Sequence, residues 1–142
     1  MWRPARPEDD DEIVRMSIAL FSEDPSPEPI SEENVRRTLA TLRTDPVRGR
    51  IVVLEIDGRV AGYSFLIPYW SNELGGEICI VDELYLDAAH RGHGHATALL
   101  TSLRDGYVAL ELEVTPANPR ARALYERVGF RVKKNVVMRR RP

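Results

Sequence analysis

The sequence predicts an α+β fold in which helices cover a mixed β-sheet. Apolar residues first recur at helical spacing, then from Ile51 give way to runs of β-branched and aromatic residues, and later alternate between the two patterns. Asp57-Gly58 lies between two apolar runs, a strong hairpin signal that requires at least one antiparallel pair. Residues 77–86 are apolar at most positions of both faces, as a strand covered on both sides must be.

Residues 2–5 make a short first strand. Pro7 suits the first position of a helix, and the carboxylates of residues 8–12 favour its positive end. Ile13, Met16, Ile18, Ala19 and Leu20 supply an apolar face as far as Phe21. Prolines at 25, 27 and 29 deny a helix to residues 22–29. Ser31 caps a second helix with Val35, Leu39 and Leu42 on one side. Residues 51–56 and 60–67 form the hairpin, and residues 68–76 a loop carrying Tyr69 and Trp70. After the long strand, residues 94–103 are helical, with Ala96, Leu99, Leu100 and Leu103 inward. Residues 107–114 are a strand, 119–128 a helix, and 130–138 a closing pair of strands.

The 142 residues fit one domain, 1–142, large enough to bury a core without metal or disulfide. Twenty basic against 22 acidic side chains give a net charge of -2, which argues against a dedicated nucleic-acid binder. No apolar run approaches the roughly 18 residues of a membrane span, and the acidic opening is not a signal peptide. The lone Cys79 makes no internal disulfide, which favours a cytoplasmic location. His90, His93 and His95 lie close together without a cysteine partner, and no metal is expected there.

The chemistry concentrates where the long strand ends. Leu84, Tyr85 and Leu86 lead into Arg91-Gly92-His93-Gly94-His95-Ala96, at which a helix begins. Glycine lets the backbone take positive φ and approach a ligand closely. Unpaired N–H groups at a helix start then form an anion site suited to a pyrophosphate, to which Arg91 adds charge. A plain glycine-rich turn before a helix has the same local pattern, so the loop alone leaves both readings open.

Arg91-x-x-Gly94-x-Ala96 resembles the Arg/Gln-x-x-Gly-x-Gly/Ala signature of the GNAT superfamily of N-acetyltransferases. Asn118-Pro119-x-Ala121-x-x-Leu124-Tyr125-Glu126-x-x-Gly129-Phe130 resembles the second motif of that family, and Arg3-Pro4-Ala5-x-Pro7-Glu8-Asp9 the opening of many bacterial members. The likeness spans essentially the whole chain. It implies a GNAT fold, with about six to seven strands flanked by about four helices. It also implies transfer of an acetyl group from acetyl-CoA to an amine of a small molecule or peptide, in a ternary complex. On the same resemblance, the pyrophosphate sits on Arg91, Gly92, His93, Gly94, His95 and Ala96. The pantetheine arm pairs with the backbone near Leu84, Tyr85 and Leu86 and is hydrogen-bonded by Asn118. Tyr125 matches the tyrosine near the cofactor sulfur, where a phenol protonates the leaving thiolate. Homodimers are common in the family.

Transfer also calls for a base, because a primary amine with a pKa near ~10 is mostly protonated at pH 7. Asp82 and Glu83 are adjacent in a strand and therefore point to opposite faces. Asp82, expected to share a face with Leu84 and Leu86, ranks first and Glu83 second. Capture of the small neutral amine fraction needs neither. Ile80 stands where the histone-modifying branch carries its acid, which argues against a histone-type acceptor. A non-catalytic sensor that binds CoA or acetyl-CoA is the reading from another class.

Overall fold

The structure is a computed structural model that describes residues 1–142. β1 (Trp2–Pro4) is followed by a 3-10 turn at Pro7–Asp9, then by α1 (Asp10–Glu23) and α2 (Glu32–Thr44). β2 (Arg50–Ile56), β3 (Arg59–Ser71) and β4 (Gly76–Leu86) come next, then α3 (His95–Ser102), β5 (Ala109–Leu112) and α4 (Pro119–Arg127). The strands lie in the order β1-β2-β3-β4-β5, antiparallel except for the parallel pair β4 and β5.

Both faces of the sheet are covered, as the apolar runs of β2, β3 and β4 require. On one face Ile13, Met16, Val35 and Leu39 of α1 and α2 pack on Val53, Tyr63, Phe65 and Tyr85. On the other, Leu99, Leu100 and Leu103 pack on Val52, Leu66, Cys79 and Val81, with Tyr125 and Phe130 against them.

Two features of β4 prepare the site. Its ladder with β5 ends at Val81 opposite Leu112, whereas β4 continues to Leu86, so residues 82–86 keep an open backbone edge. The pairing with β3 also skips a residue, since Phe65 faces Glu83 and Leu66 faces Val81. Asp82 is the extra residue of this bulge, and a bulge shifts the alternation of side chains by one. Glu83 and Tyr85 consequently turn to the α1 face and Leu84 to the α3 face. The bulge takes Asp82 out of the regular alternation on which its expected sharing of a face with Leu84 and Leu86 rests.

Other expectations also change. The sheet has five strands rather than six to seven, because residues 130–142 form none. β5, the edge they would extend, is only four residues long, and the tail is tied instead by the ion pairs Lys133–Glu111 and Arg141–Glu28. The loop expected over 68–76 shrinks to residues 72–75, since β3 and β4 stay paired as far as Ser71 and Gly76. Beyond Leu66 strand β3 has outrun β2 and has one free edge, which is where a strand tolerates Pro68. Tyr69 and Trp70 therefore stand exposed on a hairpin.

β1 is clasped to the start of α1. The Arg3 guanidinium donates to both oxygens of the buried Asp9 carboxylate at 2.7 and 3.1 Å, and the Arg6 N–H donates to Asp9 at 2.8 Å. The Arg3 hydrogen bond holds that carboxyl below the ordinary aspartate range. Asp9→Ala is expected to cost about 2–3 kcal/mol by leaving Arg3 half-buried without this partner. A carboxyl with a depressed folded pKa stabilises above its unfolded pKa and loses that contribution as pH falls through the folded value. Urea unfolding should therefore show a wide gap between wild type and variant at pH 7. The gap should narrow below about pH 4.

Candidate active site

Past β4 the chain makes a short turn and enters the glycine loop. Gly92 and Gly94 adopt φ of 79° and 82°, the left-handed region that side chains disfavour. A Cβ built on either would meet nothing within 4 Å, so the outer side of the loop is open. Gly94 is the N-cap of α3, and no side chain caps that helix. Its first N–H groups have no partner within the helix. From beneath, the Trp2 indole N–H donates to the His95 carbonyl at 2.8 Å and pins the helix start to β1.

The loop forms one wall of a cavity of about 330 Å³, closed by the end of β4, the start of α3, α4 and the last turns of α1. Leu84, Tyr85, Leu86, Arg91, Gly92, Gly94, His95, Ala96, Asn118 and Tyr125 all line it, although they come from three separate stretches of sequence. His93 does not line it, and neither do Asp82 and Glu83. The cavity also takes in Leu20, Glu23, Thr97, Arg120 and Arg127, which the motifs do not mark as cofactor-binding. Arg120 and Arg127 fall inside or beside the second motif, at positions its pattern leaves unspecified. Glu23, whose carboxylate in sequence suggests at most an attraction for a cationic acceptor, arrives from a helix more than sixty residues away.

Glu23 changes the role of Arg91. The Arg91 side chain donates to the Leu86 carbonyl and to the Glu23 carboxylate, each at 2.8 Å, with its guanidinium 5.2 Å from the Tyr85 ring centroid. The charge expected to face a phosphate is thus engaged by a carboxylate, and Arg91 ties the loop to α1. Asn118 is likewise partly committed. Its side-chain oxygen accepts from the Ala121 N–H at 3.1 Å and caps α4, which leaves the amide N–H groups to donate elsewhere.

Tyr125 packs edge-on against Phe130, with ring centroids 5.9 Å apart. Burial, and secondarily the charge of Asp24, raise its phenol above the ordinary tyrosine value, so it stays protonated at neutral pH. On β4, Glu83 accepts a hydrogen bond from Tyr63 at 2.6 Å and another from Ser17 at 3.5 Å. Burial pushes its carboxyl up to about 7, against the lowering effect of the Tyr63 hydroxyl. Asp82 is also raised, by desolvation and then by Glu113, although the residue is more exposed than Glu83. Ser17 and Leu20 are three residues apart on α1, hence on one side of it. One touches Glu83 and the other lines the cavity, which puts Glu83 about a helical turn from the cavity wall.

The rings of His93 and His95 lie 6.2 Å apart, and no group of three or more His, Cys, Asp or Glu is arranged to hold a metal ion. No helix is long and apolar enough to cross a membrane.

Comparison with known proteins bears on the family and the fold. The chain is 39% identical over 88 residues to an uncharacterized N-acetyltransferase of Methanocaldococcus jannaschii, a stretch covering 58% of this chain and 53% of that protein. The chain thus spans about half the length of the curated relative it matches. Among solved structures, a possible acetyltransferase from Clostridium difficile 630 superposes with a TM-score of 0.85 at 20% identity, covering 100% of this chain and 97% of its own. A ribosomal-protein-alanine N-acetyltransferase from Brucella melitensis biovar Abortus 2308 does so with a TM-score of 0.74 at 20% identity, covering 99% of both chains. At such identities these likenesses concern the fold. The profile of the acetyltransferase (GNAT) family matches residues 14–130, most of the chain, and the chain belongs to that family.

Proposed function

We propose that this cleft binds acetyl-CoA and that the protein transfers the acetyl group to an amine, by direct attack with both substrates bound. The observation that carries the reading is the convergence of three features on one cavity: the open glycine loop, the free edge of β4 and the Tyr125 phenol. They fit the three parts of the donor. The loop N–H groups suit its pyrophosphate. The β4 edge that β5 leaves open at residues 82–86 and the Asn118 amide suit the polar pantetheine arm, and a protonated phenol suits a departing thiolate. Acetyl-CoA supplies the activated thioester, and the residues of the chain orient it and move the protons.

Glu83 is the better-placed base of the two strand carboxylates. It is the more enclosed, it stands about a helical turn from the cavity wall, and a carboxyl that titrates near neutrality is matched to taking a proton from an ammonium group. Because the ionised form is required, turnover should fall as pH drops below about 7. Glu83→Gln should lower turnover about 100-fold, remove that acid limb, and leave acetyl-CoA binding unchanged.

The deciding assay is thiol release from acetyl-CoA in the presence of a panel of primary amines. Peptide amino termini belong on the panel because one structural neighbour is a ribosomal-protein-alanine N-acetyltransferase. Release that depends on an acceptor supports the enzyme. Tight acetyl-CoA binding without release for any amine would favour the non-catalytic sensor.

A further inference from the structure

Tyr63 is completely buried in the middle of β3, between the rings of Phe65 and Tyr85. Phenylalanine would fill that space, so the hydroxyl calls for a reason. A buried hydroxyl is costly unless it has a partner, and this one donates to Oε2 of Glu83 across the strand pair at 2.6 Å. Ser17, equally buried on α1, reaches the same oxygen at 3.5 Å. Oε1 of Glu83 makes no hydrogen bond within the protein. No buried side-chain oxygen is left without a partner anywhere in the molecule, so Oε1 keeps access to solvent. The carboxylate is therefore asymmetric, with one oxygen held from two elements and the other presented.

We propose that Tyr63 and Ser17 are positioning residues that clamp Oε2 of Glu83 and so orient Oε1 as the proton acceptor. The proposal rests on Glu83 being the base of the transfer reaction. The charged and titratable groups around the carboxylate are few. Asp82 is its neighbour on β4, and Glu113 acts on Asp82 from beyond the end of β5. Tyr85, next on the same face, turns its hydroxyl to Glu23 of α1. No arginine or lysine forms an ion pair with Glu83, which leaves the Tyr63 O–H as the closest group that favours its ionised form. Such a bond to a charged acceptor is stronger than one between neutral groups, and its loss disfavours the ionised form.

The test is a ¹³C NMR titration of the Glu83 side-chain carboxyl carbon in Glu-labelled protein, assigned with Glu83→Gln, in wild type, Tyr63→Phe and Ser17→Ala. It needs no acceptor, and a thermal midpoint checks that each variant is folded. Tyr63→Phe should raise the titration midpoint by about one pH unit. Ser17→Ala should move it less in the same direction, because its contact is long. With an amine found by thiol release, kcat of Tyr63→Phe should fall about fivefold at pH 7 and recover by about pH 9, with KM for acetyl-CoA unchanged. A folded Tyr63→Phe with an unmoved Glu83 midpoint overturns the clamp. A shifted midpoint together with normal turnover of Glu83→Gln supports the clamp and removes Glu83 as the base.

Discussion

Tyr125→Phe is expected to lower turnover by about 100- to 1,000-fold while acetyl-CoA affinity stays within about twofold. The phenol donates to no protein group and stands in the cavity wall, whereas its ring is held by Phe130 and the α3 side of the core. Removing the oxygen leaves that packing intact and takes away only a proton donor. Steady-state turnover beside calorimetric binding of acetyl-CoA separates the two effects. An unchanged turnover would deny Tyr125 the acid role, and a large loss of affinity would make it a binding residue.

Gly94→Val is expected to weaken acetyl-CoA binding at least about 100-fold while cooperative unfolding persists. A Cβ at Gly94 would have open space around it, and Gly94 lines the cavity where the pyrophosphate is expected, so the added branches crowd that space. The positive φ adds a backbone cost of about 1–2 kcal/mol for a β-branched residue. Gly58 provides the control, since it has a similar φ of 74° and equally open surroundings but lies in the β2–β3 turn. Gly58→Val should therefore show the strain without the loss of affinity. Equal affinities for the two variants in calorimetry would place the phosphate elsewhere.

The parts of the site that the sequence makes legible are those encoded by local backbone needs. Two glycines at positive φ before a helix, and Asn118 followed by Pro119 at the start of α4, are short-range requirements that leave a fixed spacing. The long apolar strand is legible for the same kind of reason, because coverage on both faces removes polar residues from it. What alternation could not supply is the bulge at Asp82, which comes from the register against β3 and inverts the facing of everything after it. That one residue moves attention from Asp82 to Glu83. The pairing of Arg91 with Glu23 is equally illegible, since it is a tertiary contact between α1 and a loop 68 residues away. The closing strands expected over 130–138 fail differently. The alternation of Phe130, Val132 and the later valines is present, yet Val132, Val136 and Val137 are exposed and beside them β5 offers only four residues of edge.

The most direct measurement is thermal unfolding of the protein with acetyl-CoA, and separately with NAD and with ATP. A ligand at about 100 times its dissociation constant stabilises the folded state by about 2.7 kcal/mol, a rise of roughly 5–10 °C for a chain of this size. A rise with acetyl-CoA that neither other nucleotide reproduces is the expected result. A cooperative transition that acetyl-CoA leaves in place, or that NAD or ATP raises equally, would contradict acetyl-CoA as the donor bound in this cleft.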